Sequence, residues 1–465
     1  MTELVRRLGL WDATMIVAGS MVGSGIFIVS ADMARQLGSP GWLLVAWAVT
    51  GLLTVMAALS YGELAAMFPR AGGQYVYLRE AHGPLFGFLY GWTLFTVIQT
   101  GTIAAVAVAF AKFAGVIWPA IAAEAVLLRL GPLAVSTQQA LAIGVIWGLT
   151  AINMGGVRGG ALIQSVFTVA KLGALAALVV LGFWGGSHLG EAFAAPTAWT
   201  AVGAAGEVLG PLALAAVLGT AMVGSLFSSD AWNNVTFTAG EVREPQRNVP
   251  LSLALGTGLV IGLYLLANVA YLAALTLPEI QQAAQDRVGT AALAAVVGPG
   301  AAGAMALAIM ASTFGCANGM VLAGGRVYWA MARDGLFFRW VGGLNAHGVP
   351  AAALLLQAAW ASALTLSGRY GDLLDYVIFA ALLFYALTVW GLFRLRRTRP
   401  DAARPYRAWG YPWVPALYLG LAGLLMADLL VLKPAYTWPG LGLVLLGVPV
   451  YAWWRRGACP AGEGA

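Results

Sequence analysis

Runs of about 20 apolar residues, the length a helix needs to cross the hydrocarbon of a bilayer, recur along this chain, and nothing else in it constrains the fold as much. Twelve candidates lie at 12–37, 41–66, 85–115, 137–155, 161–185, 210–240, 251–275, 299–332, 349–367, 371–393, 412–432 and 436–456. Charged residues make up 9% of the chain and apolar ones 60%, with a mean hydropathy of +0.82. That leaves too little polar surface to cover a soluble core, and it excludes disorder, collagen-like repeats and a disulfide scaffold. A polytopic, all-α membrane protein remains. The first span follows Arg6 and Arg7 without a convincing cleavage site, which reads as a membrane helix and not a removed signal peptide. Cys316 and Cys459 form no CxxC pattern, and His82, His188 and His347 have no visible metal or acid–base partner, so neither a metal nor a cofactor is expected.

The net charge of +6 is a topology signal, because the arginines sit between apolar segments and do not cluster as a nucleic-acid face would. With both termini cytoplasmic, Arg35, Lys112, Arg129, Arg287, Arg369 and Lys433 fall outside, Lys171 falls within a span, and all other basic residues fall inside. The expected location is a cell membrane, crossed many times.

Two spans are anomalous. Span 1 carries Gly19-Ser20-Met21-Val22-Gly23-Ser24-Gly25 at mid-membrane. Glycine there suits either an unwound segment or close helix packing through Gly19 and Gly23. Span 6 carries Ser228-Ser229-Asp230-Ala231-Trp232-Asn233-Asn234, a polar run whose side chains compete for backbone hydrogen bonds. An acid at that depth is costly and needs a reason. Irregular backbone is tolerated there only where it lines a cavity or is buried in protein. The two anomalies lie five spans apart. Five crossings make an odd number, so a second copy of the unit enters from the opposite face. Interrupted helices at matching positions of two inverted halves point to a transporter's binding site.

Gly23-Ser24-Gly25-Ile26-Phe27, the stretch Tyr61-Gly62-Glu63 through Leu78, and Phe227 through Asn233 followed by Pro245-Gln246-Arg247-Asn248-Val249-Pro250 resemble motifs of the amino acid–polyamine–organocation superfamily. The similarity is greatest to the L-type transporters, meaning the light chains and their bacterial relatives. The resemblance implies a LeuT-like 5+5 inverted repeat with 12 transmembrane helices, helices 1 and 6 broken. The divisions would be a cytoplasmic N-terminus at 1–11, a first repeat at 12–185, an extracellular loop at 186–209, a second repeat at 210–397, a basic linker with two further spans at 398–456, and a tail at 457–465.

A zwitterionic amino acid taken from water needs partners for both charges. N–H groups of Ser24, Gly25 and Ile26, following Gly23 at a positive helix end, suit the carboxylate. Carbonyls at Met21 and Val22, and around Phe227, Ser228, Ser229 and Asp230, suit the ammonium. By resemblance, Phe227 acts as a gate, while Trp232 and Asn233 line the side-chain pocket; core packing is the alternative for Phe227 and Trp232. Asp230 replaces a glycine of the best-known L-type light chains. It caps the resumed half-helix through the Trp232 or Asn233 N–H, with Ser229 assisting, or it selects cationic substrates; capping is the preferred reading. Lys171 lies about 16 Å along its helix from the inner loop, too deep for easy snorkelling. By resemblance it stands where sodium-coupled relatives hold sodium, near Thr313 and Cys316 of span 8. Arg70, Arg79, Glu80, Glu241, Arg243, Arg326, Arg333 and Asp334 either pair to hold an inner gate or are solvated topology charges.

The expected function is a sodium-independent secondary transporter or exchanger of neutral L-amino acids working by alternating access. The alternative is a cationic amino acid or polyamine carrier, proton-coupled in one variant. The scattered single charges argue against an enzyme or a channel. The loop Pro119 to Ser136 has no cysteine, so no disulfide-linked ancillary subunit is expected. Substrate and membrane lipid are the expected partners.

Overall fold

A computed structural model describes residues 4–130, 133–194, 196–203, 206–367 and 370–457; Arg369, Cys459 and the tail from 458 lie outside the described residues. The chain folds into helices in the order α1 Leu10–Met21, α2 Val29–Leu37, α3 Pro40–Met67, α4 Gln74–His82, α5 Pro84–Thr93, α6 Gln99–Ile117, α7 Thr137–Met154, α8 Val157–Gly185, α9 Leu189–Ala194, α10 Pro211–Ser228, α11 Asn234–Phe237, α12 Pro245–Ala274, α13 Leu277–Gln281, α14 Val288–Val297, α15 Ala301–Arg333, α16 Ala351–Leu366, α17 Tyr370–Thr398, α18 Trp413–Leu432 and α19 Pro434–Gly457. Start signals recur. Ser39 caps α3 at Trp42 N–H, and Pro40, Pro84, Pro211 and Pro245 open their helices, where a missing N–H costs nothing.

Among the described residues, eight helices are long and apolar enough to cross a membrane: α3, α5 with α6, α8, α10, α12, α15, the part of α17 from Val377, and α18. The other expected spans fold differently in length or continuity. Span 1 is two short helices, α16 has 16 residues, α7 opens on Thr137-Gln138-Gln139, and α19 contains Pro439 and Pro449. Span 3 is interrupted by a π-helical turn at Leu94–Ile98, a feature common at functional sites; Thr100 Oγ1 donates to Phe95 O there at 2.6 Å.

Three segments read as loops are structured. Residues 186–209 include α9 and a 3₁₀ turn at Pro196–Trp199 that anchors the start of α3, with Ser39 Oγ donating to Ala198 O at 2.5 Å and Trp42 Nε1 to Trp199 O at 2.9 Å. The stretch before α7 forms an antiparallel hairpin, β1 Val126–Leu130 with β2 Leu133–Ser136. Between α12 and α15, α14 packs on α15 and on the turn after α1. At Gly289 a side chain would meet Phe27 Cδ1 at 2.9 Å and Met305 Cε at 2.8 Å. The core is a layer of α1, α3, α12, α15 and α8, with α6 and α17 closing the other side.

Candidate functional site

The first break separates α1 from α2. Val22 leaves the helix at φ −77°, ψ 96°, its N–H still reaching Ala18 O. A single 3₁₀ turn, Gly25–Phe27, follows. Phe27 and Ile28 N–H return to Ser24 and Gly25 O, so the N–H groups of Ser24, Gly25 and Ile26 stand at a helix start, where no intrahelical acceptor exists.

The carbonyls freed before and within this break are taken by protein donors. Lys171, 1% exposed, donates from Nζ to Gly19 O, to Val22 O at 2.7 Å and to Ser312 O at 3.3 Å. Ser312 Oγ reaches Val22 O at 3.1 Å and Gly23 O at 2.9 Å. Cys316 Sγ reaches Ser20 O at 3.0 Å. A buried ammonium without such partners would lose more hydration than the protein could repay; here carbonyl dipoles hold it. Thr313, expected beside the ammonium, turns its hydroxyl back to Ile309 and Met310 O. Met21 and Val22 O, expected to face a ligand ammonium, are already engaged, Met21 O by Tyr264.

Tyr264 and Tyr271 of α12, given no role from the sequence, also reach the freed carbonyls. Tyr264 Oη lies 3.1 Å from both Met21 O and Ser228 O, so one hydroxyl bridges the two breaks. Tyr271 Oη donates to Ile26 O at 3.2 Å. With Asn268 they form an i, i+4, i+7 polar stripe on an apolar helix, a signal visible in the sequence.

The second break separates α10 from α11. Ala231 adopts φ 65°, a conformation unfavourable to a side chain, and α11 lasts one turn before a 3₁₀ turn at Ala239–Glu241. Asp230 Oδ1 accepts from Tyr385 Oη of α17 at 2.5 Å. The expected cap through the Trp232 or Asn233 N–H gives way to this bond across helices, because the chain turns at Ala231 before α11 starts. Asn233 Nδ2 donates to Gln74 Oε1 at 2.8 Å, and Gln74 Nε2 to Thr388 Oγ1 at 3.2 Å. Trp232 is buried edge-on to Tyr61, with centroids 4.7 Å apart, and lies 5.1 Å from Tyr385. Phe227 is half-buried. The breaks meet where Gly25 faces Ser228; a Cβ on Gly25 would lie 2.8 Å from Ser228 Cβ.

Two cavities flank Asp230 and Tyr385. One, about 30 Å³, is walled by Thr54, Leu226, Ser229, Trp232, Ile378 and Tyr418. The other, about 20 Å³, is walled by Tyr90, Ile98, Gln99, Asn233, Asn234 and Met320. Each has room for about one or two waters and none for an amino acid. Ser229 Oγ, Asn234 Nδ2 and Tyr90 Oη, all buried, have no partner among the described residues.

Beyond the second break the arginine-rich end of the bundle is clasped. Arg326 and Glu241 pair fully buried at 2.8 Å, and the Glu241 carbonyl accepts the Arg7 and Leu8 N–H groups. Arg79 joins Asp334 and Glu80, which Arg70 and Arg399 also approach. Partial burial pushes the Glu80 carboxyl up, but the Arg399 and Arg79 guanidiniums outweigh it and hold it below the usual carboxylate range. Arg243 and Arg333 form no ion pair among the described residues. Glu63, given no role from the sequence, is the buried centre here. It accepts from Arg396 Nε at 2.9 Å and Ala408 N at 2.7 Å, with Arg404 at 3.2 Å.

Residues 8–441 match the amino acid permease family. The chain is 30% identical to the b(0,+)-type amino acid transporter 1 of Mus musculus over 94% of this chain and 84% of that protein. It is also 30% identical to the large neutral amino acids transporter small subunit 2 of Homo sapiens, over 96% of this chain and 80% of that protein.

Proposed function

Because this chain belongs to the amino acid permease family, we propose that it carries amino acids across a cell membrane as a sodium-independent secondary transporter or exchanger, with neutral L-amino acids as its main substrates. Lys171 carries the sodium-independent reading: its ammonium occupies Gly19, Val22 and Ser312 carbonyls that a coupling cation would otherwise need. The fold we propose is the LeuT-like inverted repeat of 12 spans, with halves 12–185 and 210–397 each opening on one break, and both termini cytoplasmic.

In this reading the substrate carboxylate docks on the Ser24, Gly25 and Ile26 N–H groups, favoured by the positive end of the resumed helix. Of the carbonyls from Phe227 to Asp230, the ammonium faces those of Ser229 and Asp230, since those of Met21, Val22, Phe227 and Ser228 already have donors. Phe227 covers the ligand, and Trp232 and Asn233 bound its side chain. The cavities at Asp230 must widen for this, so the conformation described is a closed one, and substrate is released by rocking one half against the other.

A second reading rests on Asp230, whose carboxylate borders both cavities: a cationic amino acid or polyamine carrier, with proton coupling as its variant. The small-subunit relative bears a name that implies a partner chain. For this chain we propose function without a disulfide-linked one, since the hairpin loop lacks cysteine and Cys316 is buried.

The test is uptake of labelled leucine into proteoliposomes of purified protein, with sodium, a pH gradient or internal amino acid supplied in turn. Saturable uptake stimulated by internal amino acid and indifferent to sodium is expected. Strict dependence on sodium would overturn the reading, and competition only by lysine, arginine or polyamines would favour the second.

A further inference from the structure

The corner between α17 and α18 carries Arg394, Arg396, Arg397, Arg399, Arg404 and Arg407, with Asp401 the one acid in the stretch. These arginines divide into two groups. Arg396 and Arg404 are held by Glu63, Arg404 also by the backbone carbonyls of Leu395, Arg399, Pro400 and Ala402, and Arg399 by Glu80. Arg394, Arg397 and Arg407 are exposed and make no ion pair among the described residues. Exposed indoles stand with them. Trp390 is 55% exposed, Trp409 69% and Trp413 80%. Trp390, Arg394 and Arg397 follow at i, i+4 and i+7, so one face of α17 runs from indole to guanidinium as the helix leaves its apolar stretch. Indoles prefer the level of lipid headgroups, and guanidinium pairs with phosphate through parallel hydrogen bonds.

We propose that this face is a docking surface for anionic phospholipid headgroups. Three free cations bind the phosphates, three indoles seat the corner at the interface, and the inward arginines fix its shape through Glu63 and Glu80. A soluble acidic partner would have no use for Trp390, which belongs to the membrane-crossing part of α17. The surface also sits on the helix that carries Tyr385, the partner of Asp230.

Full-length protein in phosphatidylcholine vesicles containing a minority of phosphatidylglycerol tests this, with spin-labelled lipids reporting which headgroup is held at the protein surface. Phosphatidylglycerol is expected to be preferred. Arg394→Gln, Arg397→Gln and Arg407→Gln together should abolish the preference, up to about fivefold per arginine. The variant leaves the Glu63 pairs in place. The matched inner-end triple Arg6→Gln, Arg158→Gln and Arg339→Gln should retain the preference. No preference in the unmodified protein, or equal loss in both triples, would overturn the proposal. So would displacement of the held lipid by free glycerol phosphate, which would assign the site to a soluble phosphate.

Discussion

The two interrupted helices are built on opposite plans. At the first, the freed carbonyls of Gly19, Ser20, Met21, Val22 and Gly23 are met by Lys171, Cys316, Tyr264 and Ser312, and neither cavity beside Asp230 is walled by that stretch. At the second, small cavities stand on both sides of Asp230 while Ser229 Oγ and Asn234 Nδ2 are unpartnered among the described residues. A buried polar group without a partner is costly; at the first break these are Ser20 Oγ and the N–H groups of Ser24 to Ile26, whereas at the second they are side chains that border the cavities. In the proposed mechanism the first break is a backbone device that any α-amino acid can share, and the second carries the side chains that can tell one substrate from another.

The largest expected effect follows from removing the donor that sets the first break. Lys171→Ala removes a donor shared by three buried carbonyls, of which Val22 O keeps Ser312 Oγ; each carbonyl left unpaired costs about 1–3 kcal/mol. Transport should fall by at least about 100-fold while the protein still inserts and purifies. Uptake per inserted molecule measures this, and full activity would erase the asymmetry. Gly25→Leu should be nearly as severe, because its Cβ would press on Ser228 where the breaks touch. Loss of substrate binding by calorimetry is expected for neutral and cationic ligands alike; unchanged binding would remove the carboxylate from the first break.

How much of this was legible in the sequence follows from the same contrast. The breaks themselves were readable, since glycines around Ser24 and the polar run at Ser229 to Asn234 are locally poor membrane helix. Lys171, marked in the sequence as a lone cation within an apolar span, is buried. The partners were not readable. Ser312 and Tyr264 come from helices distant in sequence; the polar stripe of α12 is visible locally, but nothing in it names the carbonyl that each hydroxyl meets. Asp230 illustrates the limit: local geometry favoured a helix cap, but the turn at Ala231 and the approach of Tyr385 from α17 decide its bond. Glu63 has no role legible in its own motif because its arginines lie over 300 residues away. The structured segments α9, α14 and the hairpin are not legible for a simpler reason: each is too short to carry a periodic signal.

Tyr264→Phe tests whether the two plans are mechanically joined. It removes one hydroxyl shared between Met21 O and Ser228 O, a neutral hydrogen bond contributing about 1 kcal/mol, or about a fivefold loss in transport rate. Tyr271→Phe, which touches only the first break, should cost less. Equal losses would mean that Tyr264 is packing and not a tether. Asp230→Asn should leave neutral amino acid uptake within about twofold, because an amide can still accept from Tyr385. Competition by lysine should change only if the second break selects cationic substrates.

A further small effect comes from the arginine-rich end. Gly73, before α4, packs on Thr236 of α11, so α4 supports the second break. Glu80 helps hold α4 and has a carboxyl depressed below the ordinary range by Arg399 and Arg79 despite partial burial. A carboxyl of this kind contributes its stabilisation above the ordinary carboxylate range and loses it only as the pH falls through the depressed value. Across neutral and mildly acidic pH at that face, the pairs therefore stay charged and uptake should be flat on their account. Glu80→Gln should change the rate by less than about fivefold, since partly exposed pairs contribute about 1 kcal/mol or less. The check is uptake into vesicles of varied internal pH, with both proteins. A slope that disappears in Glu80→Gln would show that the second break is controlled from this end. A slope that persists would place the titrating group elsewhere.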